Sequence, residues 1–175
     1  KDAEGVGKLL PEINIEVKYD NGTQYVYLNG ENLGDRIRTP EMSMYASAVS
    51  AIPAVRSFLL NTQQDIAKRH SVIMDGRDIG TVVLPNADVK IFLSASAEAR
   101  AERRRLELLE KGQNVTFDEV LADMKKRDYD DSHRAIAPLK QADDAVAVDT
   151  TTLTLEESIA YMAELIESKL KEKNA

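Results

Sequence analysis

The chain has 175 residues, and its 23 Lys and Arg against 30 Asp and Glu give a formal net charge of −7 at pH 7. This length predicts one domain, or one domain with a small appendage. The absence of Cys and the presence of only two His exclude disulfides, thiolate nucleophiles and Cys-containing zinc sites, and disfavour a metal site built from imidazoles. The net acidity argues against binding to a nucleic-acid polymer, which requires a basic face. No apolar run approaches the ~18–20 residues of a membrane span, and the first residues lack a signal-peptide pattern, so we expect a cytoplasmic protein without a membrane partner.

The first predicted element is a β-hairpin. Residues 13–19 and 23–28 alternate between apolar and polar side chains, and the Asn21-Gly22 pair between them is a strong turn signal. The alternation predicts that one face of the hairpin lies in solvent.

A helical region follows the hairpin. Thr39 can cap a helix that has Pro40 at its first position, and the apolar-rich stretch that follows extends to about Lys68. Because Pro53 removes a backbone donor inside this stretch, we expect the helix to be bent or split there.

The rest of the chain has an α/β pattern. Three short apolar runs predict strands that are covered on both faces of a parallel sheet: Val72–Met74, Val89–Leu93 and Ala145–Val148. Helices are predicted to follow three capping residues: Ser96, Thr116 and Thr154. Three strands are few for this number of helices, so the sequence predicts a doubly wound sheet whose N-terminal strands are missing from these 175 residues.

The strongest local feature is Ile73-Met74-Asp75-Gly76-Arg77-Asp78-Ile79-Gly80-Thr81, at the carboxyl end of a predicted strand. Open α/β sheets bind ligands at that edge, where this segment offers two carboxylates and an arginine beside two glycines. The alternative is a turn that Asp75 caps, with Arg77 and Asp78 paired at the surface. The segment carries more charged side chains than a turn requires, which favours a site.

Two arginine-containing helix faces are further candidates. Arg127, Asp131 and Arg134 are spaced i, i+4 and i+7, so that two arginines could clamp a phosphate while the carboxylate accepts from ribose hydroxyls. Taken alone, an ion-pair ladder on a solvated face is the favoured alternative. Arg100, Arg103 and Arg104 also share a helix face and could neutralise a transferring phosphoryl group, although solvated arginines between glutamates are the commoner explanation.

The sequence resembles the bacterial cytidylate kinases. The stretches "VIMDGRDIGTVVLPNADVKIFL", "RAERRRLELLEKG", "RDYDDSHRAIAPL" and "AVAVDTTTLTLEE" carry the likeness, together with "YLNGENLGDRIRTPEMSMYASAVSAIPAVRSFLL" upstream. Because these long motifs occur in the family's order over nearly the whole chain, chance is a poor explanation. The resemblance implies a doubly wound fold like that of the phosphate-loop kinases and the transfer of the γ-phosphate of ATP, with Mg²⁺, to CMP or dCMP. We expect a monomer whose partners are small nucleotides.

The resemblance also implies residue roles that spacing alone does not supply. Ser47, Arg56 and Asp78 would read cytosine, and Arg38 belongs to the same CMP-binding set. Contacts to the CMP phosphate and sugar are implied for four further residues: Arg77, Arg127, Asp131 and Arg134. The catalytic residues implied are Asp75, Arg77, Arg103 and Arg104, with Asp75 near Mg²⁺.

Cytosine presents an N4 amino donor beside the N3 and O2 acceptors, which Asp78 and Arg56 would complement. Uracil reverses donors and acceptors at these atoms. A buried polar group left unpaired by the wrong base costs ~1–3 kcal/mol, which is enough for useful discrimination.

The resemblance divides the chain into three regions. Residues 1–40 would form the hairpin insert of the monophosphate-binding region, and residues 41–70 its helical part. Residues 71–175 would form the α/β core, with an arginine-rich lid at about 96–115 that closes on ATP.

One family motif is absent from these residues. No Gly-x-x-x-x-Gly-Lys-Ser/Thr loop occurs, because the nearest segment, Gly5-Val6-Gly7-Lys8-Leu9, has Asp2 in place of the first glycine and Leu9 in place of the hydroxyl. That loop cradles the β- and γ-phosphates, so we expect this chain to be an incomplete form that is inactive alone. The alternative is a non-catalytic pyrimidine-nucleotide-binding or scaffold protein derived from such a kinase, and the intact specificity residues favour the enzyme. RNA binding through the arginine helix is disfavoured by the net charge.

Overall fold

The computed structural model describes residues 2–50 and 52–173, except for the side chains of Pro40, Ser43 and Ser47. The chain forms two compact units, Lys1–Ile73 and Met74–Ala175. The finer predicted division into 1–40, 41–70 and 71–175 stays a prediction.

The first unit combines an antiparallel sheet with helices. Helix α1 (Ala3–Leu9) and a 3₁₀ turn precede strands β1 (Ile15–Asp20), β2 (Thr23–Leu28) and β3 (Glu31–Asn32). A second 3₁₀ turn leads to helices α2 (Pro40–Ser50) and α3 (Pro53–Arg69).

The predicted hairpin is confirmed. Strands β1 and β2 pair antiparallel with Asp20 opposite Thr23, and positive φ angles of 47° at Asn21 and 80° at Gly22 form the tight turn between them. A third strand was not predicted. The chain turns again at Asn29-Gly30, and two residues of β3 then pair with β2, too few to show an alternating pattern.

The predicted helical region is also confirmed. The Oγ1 atom of Thr39 accepts a hydrogen bond of 3.1 Å from the amide of Met42, which satisfies a donor in the first turn of α2. Helix α3 begins at Pro53, so the proline separates two helices.

The second unit contains a parallel sheet packed with helices. Strand β4 (Ile91–Ser94) leads into α4 (Ala97–Glu110) and α5 (Phe117–His133), and strand β5 (Val146–Asp149) leads into α6 (Leu155–Lys173). The two strands pair from Ile91 opposite Val146 to Ser94 opposite Asp149. Four apolar residues of this unit are buried: Val83, Ala101, Val120 and Val148. The α/β class, the parallel strands and the antiparallel element near the start are therefore confirmed.

The three predicted caps are confirmed as well. Ser96 accepts from the amide of Ala99 at the start of α4. Thr116 forms a reciprocal capping box with Glu119, and the Thr154 amide and hydroxyl pair in the same way with Glu157.

One predicted strand is wrong. Val72–Met74 has no regular structure, and Ile73 is 96% exposed. A strand requires a neighbour that supplies backbone donors and acceptors, and no strand in the described part of the chain pairs with this run. The parallel sheet of the described residues therefore has two strands where the sequence predicts three. Among the same residues, no helix combines the length and the apolar character that crossing a bilayer requires.

Candidate functional site

A turn of π-helix holds the segment that carries Arg77 and Asp78. The turn spans Ile79–Val83, and the carbonyl of Asp78 accepts hydrogen bonds from the amides of Val82 at 2.9 Å and Val83 at 3.2 Å. A Cβ atom at Gly76 would lie 2.9 Å from Cγ1 of Ile79, so only glycine fits without movement of the isoleucine. The local sequence thus fixes the backbone directly around two of the predicted site residues.

Arg77 is oriented by α5. Its Nε atom donates a 2.6 Å hydrogen bond to Oδ2 of Asp131. The side chain of Arg77 is 42% exposed, and its two terminal nitrogens have no hydrogen-bond partner among the described residues. A guanidinium held at Nε with its terminal fork open can bind a phosphate in bidentate fashion.

Arg134 lies immediately beyond α5 with extended backbone angles, φ −64° and ψ 142°. Its Nε donates at 2.6 Å to the carbonyl of Ala137. Its Nη2 is buried and lies 3.6 Å from Oδ1 of Asp78, too far for a hydrogen bond, and it has no hydrogen-bond partner within the described residues. Since a buried donor without an acceptor costs ~1–3 kcal/mol, this nitrogen is suited to an acceptor that a ligand brings.

We call Arg77, Asp78, Asp131 and Arg134 the paired-arginine cluster. Its geometry corrects the predicted helix face, because α5 ends at His133 and Arg134 is no longer helical. The ion-pair ladder offered as the alternative is also wrong. Asp131 pairs with Arg77 and Arg134 pairs with Asp78, so both acids orient arginines from a different part of the chain.

The end of α5 has a local cause. Ser132 Oγ donates to the carbonyls of Asp128 at 2.7 Å and Tyr129 at 3.1 Å, and the Leu139 amide donates to the carbonyl of Asp131 at 2.8 Å. The Leu139 bond occupies the Asp131 carbonyl, which would accept from the amide of residue 135 if the helix continued, whereas the Ser132 hydroxyl bonds back within the last turn of α5 itself. Arg134 is thereby turned out of the helix toward Asp78.

An ion pair between an arginine and an aspartate links α4 to α5. Arg100 binds both carboxylate oxygens of Asp128, Nη1 to Oδ1 at 2.9 Å and Nη2 to Oδ2 at 2.6 Å, and its Nε donates to the carbonyl of Ala95 at 3.0 Å. The hydrogen bonds from Arg100 lower the pKa of Asp128, and the positive charges of Arg77 and Arg127 act in the same direction against the effect of burial. Arg127 itself is exposed.

The other arginines predicted for the lid have separate partners. Arg103 donates through Nη2 to the backbone carbonyls of Thr150 and Leu153, the second at 3.1 Å. Arg104 pairs with Glu107 at 2.7 Å on the same helix and is 47% exposed. Hydrogen bonds from Lys111 and then Arg104 lower the pKa of Glu107 to about 2. Arg103 thus connects α4 to the loop after β5 through hydrogen bonds, whereas Arg104 forms an exposed ion pair on the surface of α4.

Three predicted CMP-binding residues belong to the first unit. Arg38 is exposed and lies 3.9 Å from Asp35. Arg56 is half-buried in the first turn of α3, and the side chain of Ser47 lies outside the described residues. The roles of these three residues in reading the base stay predictions.

The acidic side chains suit a cation that arrives with a nucleotide. No group of three or more His, Cys, Asp or Glu that could hold a metal ion occurs in the described ranges. Asp75 is exposed and offers a single carboxylate. Mg²⁺ commonly takes one or two protein carboxylates and completes its octahedral shell with waters and substrate phosphates, so one acid fits this mode of binding.

The family model of cytidylate kinase matches residues 1–168. The chain belongs to the cytidylate kinase family. Among curated relatives, the cytidylate kinase of Thermosipho melanesiensis is 50% identical over 168 residues, which are 96% of this chain and 76% of the relative. Those of Caldicellulosiruptor bescii and Lactobacillus johnsonii are 48% and 46% identical over 170 residues, which are 97% of this chain and 75% and 74% of the relatives. The family resemblance of the sequence is confirmed, and with it the class of enzyme: a nucleotide-binding phosphotransferase that acts on nucleoside monophosphates.

The sequence predicted every member of the paired-arginine cluster as a site residue, but it did not predict which arginine pairs with which acid. Arg77 and Asp131 are 54 positions apart, and Arg100 and Asp128 are 28 apart, so no helical or strand period relates them. No local signal in the sequence relates Arg77 to Asp131.

Proposed function

We propose that this protein transfers the γ-phosphate of ATP to CMP or dCMP and so forms CDP or dCDP. The observation that carries the proposal is the paired-arginine cluster, in which oriented guanidinium nitrogens have no hydrogen-bond partner among the described residues. Membership of the cytidylate kinase family supports the same reaction.

In the proposal, Arg77 and Arg134 bind the phosphate of CMP. The fork of Arg77 offers two parallel donors, and the buried Nη2 of Arg134 offers a third in a site of lower dielectric. Arg127 adds positive charge from α5, and Asp131 holds Arg77 while its free lone pairs accept from the sugar hydroxyls. The acceptor phosphate is thereby held in one orientation for attack, which is the main contribution that a protein makes to phosphoryl transfer.

The base would be read by Asp78 together with Ser47 and Arg56. The Asp78 side chain is only 16% exposed, so an amino group that donates to it meets little competition from water. The N4 amino group of cytosine is such a donor, whereas O4 of uracil is an acceptor and would face a carboxylate. Arg38 would complete the CMP-binding set.

The ATP side of the reaction would use charges from α4 and a bound cation. Mg²⁺ would be held by the ATP phosphates with Asp75 nearby, and it would neutralise charge on the transferred group. Arg104 would exchange its exposed pair with Glu107 for ATP, whereas Arg103 would have to release the backbone carbonyls that it binds. The loop that cradles the β- and γ-phosphates does not occur in these 175 residues, and in the proposal it belongs to the same polypeptide outside them.

The experiment uses the full-length polypeptide with Mg²⁺ and ATP and measures diphosphate formation from CMP, dCMP, UMP, AMP and GMP by chromatography. We expect CMP and dCMP to have the highest kcat/KM. A preference for another monophosphate would contradict the proposal. Binding of CMP in a calorimeter without formation of CDP would instead identify a non-catalytic binding protein.

A further inference from the structure

Lys90 is a buried cation outside the site described above. Its side chain is 7% exposed, and its Nζ donates to both carboxylate oxygens of Asp144, at 2.8 Å and 2.7 Å. The same nitrogen donates to the backbone carbonyl of Pro85. The Asp144 side chain is 66% exposed, so the acid remains hydrated while the ammonium group is not.

The contacts of Lys90 surround the π-helical turn that follows Asp78. Pro85 lies two residues beyond the end of this turn at Val83. A Cβ atom built on Gly80, inside the turn, would lie 3.6 Å from Cδ of Lys90, so the aliphatic stem of the lysine runs beneath the turn. The backbone of Lys90 is bonded to strand β5, because its carbonyl accepts from the amide of Val146 at 2.9 Å.

The π-helical turn also holds the backbone of Asp78. The amides of Val82 and Val83 in the turn donate to the carbonyl of Asp78, and Val83 is 4% exposed. A shift of the turn relative to β4 would therefore move Asp78 and the adjacent Arg77. Active-site groups misplaced by as little as about 1 Å can lose much of their effect.

A buried ammonium group is a costly way to fill this space. Apolar side chains of similar volume commonly stabilise a protein as well as a buried ion pair does, because burial removes the hydration of the charge. An apolar residue at position 90 would cover Gly80 but would leave the Pro85 carbonyl without its donor. The feature that only a long cationic side chain supplies here is the tie between the turn and the sheet.

We infer that Lys90 is a positioning residue for CMP, which ties the π-helical turn to the sheet and so fixes the direction of Arg77 and Asp78. This inference rests on the proposed function. Lys90 itself does not contact CMP, and it acts on the site only through the π-helical turn.

The test is Lys90→Met in the full-length enzyme, which keeps the apolar stem and removes the donor. We expect KM for CMP to rise about five- to tenfold and KM for ATP to change less than about twofold, because Arg77 and Asp78, which directly precede the turn, bind the monophosphate in the proposal. The ratio of kcat/KM for CMP over UMP is expected to narrow as Asp78 loses its orientation. Lys90→Gln, with a donor on a shorter stem, is measured in parallel and should show a smaller change in the same direction.

Two controls separate positioning from stability. Asp144→Asn weakens the ion pair but leaves the Lys90 bond to Pro85, so it should lower the melting temperature and leave KM for CMP unchanged. Lys173→Met removes another Lys–Asp pair of the same unit, the exposed pair with Asp88, and should change neither quantity.

The outcomes distinguish the inference from the proposed function. A wild-type enzyme that does not phosphorylate CMP contradicts the proposed function. A wild-type enzyme that does so, with Lys90 variants that keep the wild-type KM for CMP or raise both KM values alike, overturns the role of Lys90. Changes in KM that track the melting temperature across all four variants would overturn it as well. If the Met variant does not fold, the Gln variant decides.

Discussion

Each arginine of the paired-arginine cluster binds the protein through Nε and has a terminal nitrogen without a hydrogen-bond partner among the described residues. Arg77 donates Nε to Asp131, and Arg134 donates Nε to the carbonyl of Ala137. A side chain that is already oriented loses less conformational entropy when it binds, so more of each hydrogen bond contributes to affinity. At the residue scale, Asp131 and the Ala137 carbonyl therefore act by orienting the two guanidinium groups.

Arg134→Ala tests whether the terminal nitrogens of Arg134 bind the CMP phosphate. The substitution removes charge-assisted contacts worth ~1.5–3 kcal/mol to a bound phosphate, so we expect KM for CMP to rise about tenfold or more, with little change in KM for ATP. A fall in kcat as well would mean that the contact strengthens as the phosphoryl group is transferred. Lys126→Ala, which removes an exposed positive charge from α5, is the control in steady-state kinetics. Equal effects of the two substitutions would make Arg134 a structural residue.

Asp78→Asn tests how the base is chosen. If the carboxylate accepts from the cytosine amino group, the neutral amide can also donate to O4 of uracil, and the CMP over UMP ratio of kcat/KM should narrow by about tenfold or more. Asp88→Asn removes an acid from an exposed pair of the same unit and should leave the ratio alone. An unchanged ratio in Asp78→Asn would remove this residue from base recognition.

At the scale of elements, α4 and α5 are joined by ion pairs of two kinds. Arg100 and Asp128 form a bidentate pair whose side chains are 35% and 39% exposed, whereas Lys125 and Glu98 lie 3.1 Å apart and are more than half exposed. Parallel hydrogen bonds and partial burial make the first pair the stronger link. Since α5 also carries Asp131, this link fixes the helix that orients Arg77.

The Arg100–Asp128 link predicts a pH dependence of stability. The pKa of Asp128 is lowered in the folded protein, so the pair contributes fully above the ordinary Asp pKa of ~3.9, and its contribution is lost as the pH falls through the lower folded value. We expect Asp128→Asn to reduce the free energy of unfolding by about 1 kcal/mol at neutral pH, a figure that allows for solvent screening. The difference from wild type should shrink below about pH 4.

Denaturant unfolding at a series of pH values measures this dependence. Glu98→Gln, which disrupts the exposed pair across the same two helices, serves as the matched control and should have the smaller effect. A difference between Asp128→Asn and wild type that stays constant down to pH ~3 would show that the pair does not stabilise the fold through its charge.

Local signals in the sequence were reliable, and signals that depend on distant partners were not. The Asn21-Gly22 turn and the Thr116 capping box are complete within a few residues, so their chemistry can be read directly. Val72–Met74 has the composition of a buried strand, but a strand also requires a neighbour, which composition does not report. Arg134 follows the helical period of α5, yet the helix ends before it, and the Asp131 carbonyl accepts from the amide of Leu139 instead of from a further helical turn.

At the scale of the whole molecule, an acidic protein must attract an anionic substrate. The net charge is −7, but positive charge is concentrated at the predicted CMP-binding arginines: Arg77, Arg127 and Arg134. Salt screens exposed charges of either sign beyond a Debye length of about 10 Å at 0.1 M, so distant acidic groups contribute little at the site. Attraction of the phosphate therefore depends on the charges close to the site.

The charge distribution predicts a salt dependence that is specific to the phosphate. Raising KCl from about 0.05 M to about 0.5 M should raise KM for CMP severalfold while kcat changes little, because screening weakens the encounter with exposed arginines such as Arg77. Inhibition by cytidine, which lacks the phosphate, should vary much less over the same range. Steady-state kinetics with both ligands measures the contrast. A parallel loss of affinity for CMP and cytidine would indicate that salt acts on the base site or on the fold.

The π-helical turn after Asp78 has a consequence for how this chain can change in length. A π turn accommodates one more residue than an α turn, and here the wider ring delivers two amides to the Asp78 carbonyl. Deleting one residue between Ile79 and Val83 would tighten the ring and rotate the preceding residues, Arg77 and Asp78, by about 100° relative to the chain that follows. The hairpin turn at Asn21-Gly22 lies on the surface, where insertions are tolerated. Homologous chains should therefore vary in length at the hairpin and keep a constant spacing between Asp78 and Pro85.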